Sequence, residues 1–303
     1  MVSPPPHIES PITTSGIMAK VIIALLPAVI ASGVIFGLRS FLLIAVCVSS
    51  CVLFEYLFCK VSKKGSTIGD LSAVVTGLLL AFNLPSTLPF YMAVIGSATA
   101  IIVAKCIFGG LGQNFANPAL VGRLVLFVSF SSFMGSYPDP IIGGISTDAV
   151  SGATPLAAIA SGGGQGLSIF DLLLGIKGGV LGEVCAIALI IGGCYLIFTK
   201  IISPIIPLVY IATVFALTFI AGASPVEQVF SGGLILGAFF MATDYATSPI
   251  TKKGKFIFAL GCGIITVAIR LYGSYPEGVS FAILLMNILS PLIDRITKTK
   301  AAG

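Results

Sequence analysis

The sequence predicts an all-α polytopic membrane protein with about ten transmembrane helices in two inverted five-helix repeats, some of them short or broken. Of its 303 residues, 57% are hydrophobic and 9% are charged, whereas a soluble domain carries about 25% charged residues. Apolar stretches long enough to span a bilayer recur along the chain, and one short pattern occurs twice. This composition excludes a soluble enzyme, a disordered chain and a nucleic-acid-binding protein.

The apolar stretches define ten predicted spans, of which the third and eighth are short and therefore tilted or interrupted. Pro85 and Pro89 separate the third span from the fourth. The Gly-rich residues 109–114 predict non-helical backbone buried at membrane depth before the fifth span. The spans are residues 18–38, 41–59, 70–84, 88–108, 117–135, 178–198, 204–222, 226–242, 256–273 and 279–294.

The positions of Lys and Arg predict the orientation. With the N-terminus inside, the cytoplasmic side receives twelve of the sixteen basic residues, Lys105 among them, and the outer side receives Arg39 and Lys177. We therefore expect one membrane domain with both termini in the cytoplasm. It comprises an N-terminal arm (1–17), an outward loop (136–171) and a C-terminal tail (295–303).

A repeated pattern supports the inverted arrangement. Residues 76–81 resemble residues 232–237 at an offset of 156 residues, although chance is an alternative for so short a match. Five spans separate the copies, so they would cross the membrane in opposite directions. Inverted repeats place a binding or conduction site at their interface.

Polar residues in the spans are candidates for an ion site or a second cofactor site. Asn114 and Asn117 could coordinate an ion or a flavin, or could satisfy the free backbone groups of a broken helix. Asp244 could hold a cation, or could pair with Lys252 or Lys253 at the inner surface.

Five charged residues in or near the spans also have more than one possible role. Arg123 needs a partner, such as a buried carboxylate, backbone carbonyls or the edge of a flavin ring. Glu183 either pairs with Lys177 or belongs to a site. Arg270 could form a structural pair with Glu277, and Glu55 either reaches the inner surface or has a function.

The seven cysteines all lie in apolar stretches and predict small buried hydrophobic residues rather than metal ligands. His7 is the only histidine and lies in the Pro-rich N-terminal arm, so no His-based metal site is expected.

The outward loop contains a group of small and hydroxyl-bearing residues: Asp148, Ser151, Gly152, Ala153 and Thr154. The following proline restricts Thr154 to an extended conformation. Its small neighbours leave the hydroxyl accessible to a modifying enzyme.

These residues fit the flavinylation motif Asp-x-x-Ser-Gly-Ala-Thr, and the chain resembles the membrane subunits of Rnf complexes (ferredoxin:NAD oxidoreductases) and of the related sodium-pumping NADH:quinone oxidoreductase. The resemblance covers nearly the whole chain, including Ala24-Leu25-Leu26-Pro27-Ala28, residues 109–114 with Asn117-Pro118-Ala119, residues 237–244 and residues 275–282.

The resemblance implies FMN esterified through its phosphate to Thr154 by a flavin transferase, and in some members a second, non-covalent riboflavin. It also implies that electrons arrive from the flavin of an extracytoplasmic partner subunit of an ion-translocating complex in a prokaryotic cytoplasmic membrane. This chain has no cluster ligands and no dinucleotide fingerprint, so it would act as one subunit of the enzyme.

Two other functions fit part of the sequence. A channel or transporter for a small solute would explain the spans, the inverted repeats and the Gly-rich breaks, but not the motif in the outer loop. A scaffold for neighbouring subunits would carry no cofactor. The sequence does not distinguish Na⁺ from H⁺ as the translocated ion.

Overall fold

A computed structural model describes residues 13–63, 65, 67–137, 156, 169–175, 178–183, 185–273 and 277–297. Every secondary-structure element in these ranges is a helix, as the apolar composition predicts. The N-terminal arm before residue 13, most of the outward loop and the tail after residue 297 lie outside the described residues.

The first repeat begins with two long helices, α1 (Thr14–Phe36) and α2 (Leu38–Val61). After a 3₁₀ turn at Ile68–Asp70, it continues with the short α3 (Ser72–Phe82). Helix α4 (Phe90–Cys106) changes to wide π-type turns at Thr99–Cys106. Helix α5 (Pro118–Ser129) and the single turn α6 (Ser131–Met134) complete the repeat.

The second repeat follows the short α7 (Ile169–Leu174). It contains α8 (Ala186–Phe198), α9 (Ile205–Ile220) and α10 (Pro225–Phe230). The three-residue α11 (Leu234–Leu236) runs on into π-type turns at Gly237–Met241. Two long helices, α12 (Lys252–Tyr272) and α13 (Val279–Thr297), end the described chain.

Three predicted spans differ from the helices observed. The fifth helix ends at Ser129, and the predicted span 226–242 is divided at residues 231–233. The predicted span 178–198 becomes helical only at Ala186. Glycines at 178, 179 and 182 disfavour an earlier start. The non-helical backbone instead donates to the end of α3, from Gly182 N to Phe82 O at 2.8 Å.

Four helices in the described part of the chain, α1, α2, α12 and α13, are long and apolar enough to cross a membrane. Helices α3, α4, α5, α8 and α9 are apolar but shorter. Large apolar side chains on the long helices are exposed, for example Ile30, Val34 and Leu53, as expected of a surface that faces lipid. The number of ten spans stays a prediction.

Corresponding helices of the two repeats make corresponding contacts. Helix α2 packs against α3 and α4, and in the same way α9 packs against α10 and α12. The repeats meet where α1 contacts α8 and where α5 contacts α13. At the first of these contacts a Cβ atom on Gly192 would lie 2.0 Å from the carbonyl oxygen of Ala24, so the close approach requires glycine.

Candidate functional site

The candidate site lies at the interface of the two repeats, where the predicted break before α5 brings two asparagines inward. The backbone unwinds at Gly109, Gly110 and Gly112, whose φ angles are positive. Helix α5 then restarts at Pro118, with Asn117 as its N-cap and a bond from Ala119 N to Asn117 Oδ1 of 3.1 Å. Asn117 thus has the capping role that the sequence allowed.

Two adjoining cavities open at this interface and share Asn114 and Asp244. The deep cavity has a volume of about 80 Å³ and reaches Ser72 and Lys105. The wide cavity has a volume of about 610 Å³ and reaches Asp294. Their polar lining residues are Thr14, Ser72, Thr76, Lys105, Asn114, Asn117, Thr243, Asp244, Tyr245, Thr247, Ser248, Asn287, Ser290 and Asp294.

Asp244 follows the π-type turns of the second repeat and lies in the connection to α12. Its carboxylate accepts from Ala246 N at 3.2 Å and from Thr247 Oγ1 at 3.3 Å. Burial raises the pKa of this carboxyl, and these two bonds lower it in part. Neither ion pair found among the described residues includes Asp244, so the alternative of a pair with Lys252 or Lys253 is wrong.

Two buried amides in the cavity lining have polar atoms without a hydrogen-bond partner. The side-chain oxygen of Asn114 is one, and both amide atoms of Asn287, in α13, are the others. An unsatisfied buried polar group costs about 1–3 kcal/mol. Polar ligands in the cavity would remove that cost.

A line of polar side chains leads from the cavities across the interface of the repeats. Asn117 Nδ2 donates to Met241 O at 3.5 Å, and Asn83 Nδ2 lies 3.7 Å from Met241 Sδ. Asn83 Oδ1 in turn accepts from Arg123 Nη1 at 2.7 Å. The line therefore joins α3, α5 and the π-type turns of the second repeat.

Arg123 ends this line in an ion pair with Glu277, which lies just before α13. The Tyr137 hydroxyl donates to the other oxygen of Glu277 at 2.7 Å. Burial raises the pKa of the Tyr137 phenol to about 12, so the hydroxyl keeps its proton at neutral pH. Of the partners that the sequence allowed for Arg123, the structure selects the buried carboxylate.

Arg270 lies near the end of α12 and does not pair with Glu277 as the sequence suggested. It donates to the carbonyl oxygens of Gln228 and Ser231, the latter at 3.1 Å. These carbonyls lie where α10 stops and the chain breaks before α11. Carbonyl oxygens freed by such a break need hydrogen-bond donors. The Arg270 guanidinium supplies them here instead of pairing with a carboxylate.

Glu183 is buried beside the same break. Its oxygens lie 2.9 Å and 3.7 Å from where Cβ atoms on Gly179 and Gly233 would stand. It is close enough to Arg123 and Arg270 to interact electrostatically with both. Lys177, the partner that the sequence allowed, lies outside the described residues.

Lys105 is a buried member of a second network rather than a charge at the membrane surface. Its ammonium lies 2.8 Å from Glu55 Oε2 and 2.5 Å from Ser72 Oγ, and its side chain is 2% exposed. Glu55 also accepts from Thr67 Oγ1 at 2.5 Å. Glu55 therefore does not reach the surface, because its charge is neutralised inside the protein.

The five residues of the flavinylation motif, Asp148, Ser151, Gly152, Ala153 and Thr154, lie outside the described residues. Leu156, two residues after Thr154, is described and is buried. A Cβ atom on Gly232 would stand 2.5 Å from Leu156 Cδ1 and 2.8 Å from Arg270 Nη2. Leu156 and Arg270 therefore both lie against Gly232.

Sequence reasoning did not single out Asn83, Gln228, Tyr137 or Asn287 as site residues. Asn83 and Asn287 carry the signal that could have found them, since each is a lone amide at the end of or within an apolar helix. Gln228, in α10, was overlooked although it lies in a predicted span, and Tyr137 carries no such signal because it lies at the start of the outward loop. Five of the seven cysteines are buried, and the described residues contain no group of three or more His, Cys, Asp and Glu side chains placed to hold a metal ion.

Comparison with known proteins places the chain in one family over its whole length. Residues 1–303 match the model of the NQR2, RnfD, RnfE family. The chain is 50% identical to the D component of the Na⁺-translocating ferredoxin:NAD⁺ oxidoreductase complex of Acetobacterium woodii, over 100% of this chain and 95% of the relative. It is 44% identical to the D component of the proton-translocating ferredoxin:NAD⁺ oxidoreductase complex of Clostridium ljungdahlii, over 100% and 96%.

A third relative is the D component of the ion-translocating oxidoreductase complex of Actinobacillus succinogenes, 35% identical over 98% of this chain and 96% of its own. The helical fold and the polar interface between repeats define a polytopic membrane protein. The chain belongs to the NQR2, RnfD, RnfE family.

The buried pair of Lys105 and Glu55 generates a prediction about stability. We expect Lys105→Met and Glu55→Gln each to lower the free energy of unfolding by about 3–5 kcal/mol, because each leaves the other charge buried without its partner. The double variant should lose less than the sum of the two. Denaturant unfolding in detergent measures all four proteins. Additive losses would contradict an energetic coupling between the pair.

Proposed function

We propose that this chain is a membrane subunit of an ion-translocating oxidoreductase complex that links ferredoxin and NAD redox chemistry. The observation that carries the proposal is the full-length similarity to relatives that bear that name, together with a complete flavinylation motif in the long loop. Ferredoxin oxidation and NAD reduction belong to other subunits, with which this chain assembles.

FMN is the redox cofactor of this subunit in our proposal. The hydroxyl of Thr154 would hold it through a phosphate ester, and Asp148, Ser151, Gly152 and Ala153 would be recognised by a flavin transferase. Bound FMN supplies one- and two-electron chemistry. The buried anchor at Leu156 and the unpartnered Nε of Arg270 suit an anionic group nearby. An extracytoplasmic subunit with its own flavin would deliver the electrons.

Flavin attachment is tested by exchanging the threonine. We expect the parent chain to fluoresce on an unstained denaturing gel, and the Thr154 peptide to gain the mass of FMN less one water. Thr154→Ala should remove both signals, because the ester needs the hydroxyl. Thr147→Ala is the matched control, because it removes a threonine hydroxyl outside the motif and should keep both signals. A flavin adduct that persists in Thr154→Ala would refute the assignment.

The same gel separates this proposal from its rivals. A small-solute transporter or a scaffold would show no fluorescent band at the mass of this chain. The transporter gains some support from the cavities between the repeats, but these do not explain the motif.

We also propose that the motif-bearing loop faces outward and both termini face the cytoplasm, on the basis of the basic residues. Single cysteines at Ser146 and Thr251 in a cysteine-free background should then react with an impermeant thiol reagent from opposite sides. We expect each cysteine to be labelled almost completely from one side of the membrane and only slightly from the other. Labelling of both from one side would overturn the predicted topology.

The two cavities are the proposed ion site of the subunit. Asp244 and Asp294 face the wide cavity, none of its described lining residues is Lys or Arg, and Asn114 and Asn287 offer unpartnered amide oxygens. Carboxylate and amide oxygens suit a hard cation. This lining favours a cation over the non-covalent riboflavin that the resemblance implies in some relatives.

Charge removal at Asp244 tests the ion site. We expect Asp244→Asn to lower ion uptake by vesicles that contain the complex by about tenfold, because a charge-assisted contact contributes about 1.5–3 kcal/mol. Thr154 should stay flavinylated and the complex should assemble. Glu227→Gln removes a carboxylate on α10, outside the cavities, and is the control. Unchanged uptake and ion dependence in Asp244→Asn would place the coupling site elsewhere.

A further inference from the structure

The wide cavity opens beside one end of α13 and reaches the middle of that helix. Its lining includes exposed residues, Thr14 and Ile250, and Asp294 near the C-terminal end of the helix. Asn287 is a buried residue of the same lining. Because a helix rises 1.5 Å per residue, about 10 Å of α13 separates Asn287 from Asp294. An ion can therefore reach the interior of the protein from this side.

The other end of α13 is joined to the first repeat by an ion pair. Arg123 of α5 pairs with Glu277, which lies just before α13, and the two side chains are 7% and 12% exposed. About 22 Å of helix separates the start of α13 from Asp294. The ion pair and the mouth of the wide cavity therefore lie at opposite ends of one helix.

Packing around the ion pair leaves no room for a hydrated ion. Phe127 and Phe281 follow Arg123 and Glu277 by about one helical turn. Their rings pack edge to face, with centroids 5.8 Å apart. The cavity at the pair has a volume of about 10 Å³, about the room of one water molecule. None of its described lining residues also lines the wide or the deep cavity. The interior is thus closed at this end of α13.

The guanidinium of Arg123 is also an electrostatic barrier to a cation. Arg123 Nη1 donates to Asn83 Oδ1 at 2.7 Å. From Asn83 the polar line leads through Met241 to Asn117, which lines the deep cavity. A cation that leaves the cavities along this line meets a fixed positive charge, and such a charge excludes cations from a narrow pore. Passage therefore requires the ion pair to separate and the guanidinium to move.

We propose that the pair of Arg123 and Glu277 is the gate that closes the ion path of this subunit at the end away from the cavity mouth. While the pair is formed, an ion in the cavities exchanges with the mouth side of the membrane. When the pair separates, the ion exchanges with the far side. Because the pair joins α5 to the start of α13, a movement of one repeat against the other separates it. The inference rests on the proposed ion site.

The test measures from which side of the membrane a cation reaches the wide cavity. Silver ion is the probe, because it is a monovalent cation that binds thiolates tightly. Ser290→Cys is the single cysteine of this chain in the assembled complex, and its position is 6% exposed in the cavity lining. Silver is added to one side of sealed vesicles, and the remaining thiol is then counted. The parent should react only from the side at which Thr251→Cys reacts, because the gate is closed at the other.

Two variants weaken the gate to different extents. Glu277→Gln should raise the rate of reaction from the far side by about a hundredfold, because the closed state then buries the charge of Arg123 without its paired carboxylate. Tyr137→Phe removes the hydroxyl that donates to Glu277 and should raise the same rate by about tenfold. Glu227→Gln changes a carboxylate on α10 to an amide and is the matched control, with no expected change. Reaction from the mouth side should stay as in the parent in all three.

The possible outcomes separate the gate from the proposed ion site. Reaction of the parent from both sides, or an unchanged far-side rate in Glu277→Gln, overturns the gate and leaves the ion site standing, because silver labelling requires no ion transport. A rise of the same size from both sides indicates loosened packing and overturns the gate as well. If Glu277→Gln does not assemble, an unchanged far-side rate in Tyr137→Phe is equally decisive. Unchanged ion uptake in Asp244→Asn refutes the ion site instead, and the inference falls with it.

Discussion

The broken helices of both repeats depend on charged side chains that bind their free ends. Water is absent from the centre of a bilayer, so backbone groups released by a break must be satisfied within the protein. Arg270 donates to the carbonyls at the end of α10, and Asp70 accepts from Ser72 N at the start of α3, where Lys105 also binds the Ser72 hydroxyl. Lys105 lies near the C-terminal end of α4, and Arg270 lies near that of α12.

The two interactions differ in their chemistry because opposite helix ends are involved. The N-terminus of α3 carries a positive partial charge, so the ammonium of Lys105 is tolerated there only with carboxylates close by. Glu55 supplies one carboxylate by its ion pair with Lys105. Asp70 supplies the other and accepts a hydrogen bond from Ser72 N. The end of α10 presents carbonyl oxygens, for which a guanidinium needs no additional anion. The backbone groups at the two breaks are therefore bound by side chains of opposite charge, Asp70 at α3 and Arg270 at α10.

The interface between the repeats contains the polar and charged groups of the candidate site. The polar line from Asn117 through Met241 and Asn83 to Arg123 connects the cavities to the network around Glu277. The cavities hold the cation-attracting oxygens, and the break at Gly232 holds the end of the outward loop. The line therefore connects the proposed ion site to the pair of Arg123 and Glu277. A chain of contacts between two sites couples them only where it has two arrangements.

Composition and periodicity determined the helical membrane fold, because lipid permits few other backbone arrangements. The break at residues 109–114 was also predictable, since glycine there disfavours a helix. The motif around Thr154 could be identified from the sequence alone, because a modifying enzyme recognises a short local segment.

The partners of the buried charged side chains were decided only by the tertiary structure. Arg270 stands seven residues before Glu277 in the sequence, yet it binds carbonyls near Gln228, while Glu277 pairs with Arg123. Lys105 looked like a surface charge and proved to be buried against Glu55. Sequence gives the spacing of charges along a chain, but a buried charge pairs with whichever group the packing of other helices brings within a few ångströms. That packing joins residues 42, 50 and 154 positions apart in these three cases, so no local pattern encodes it.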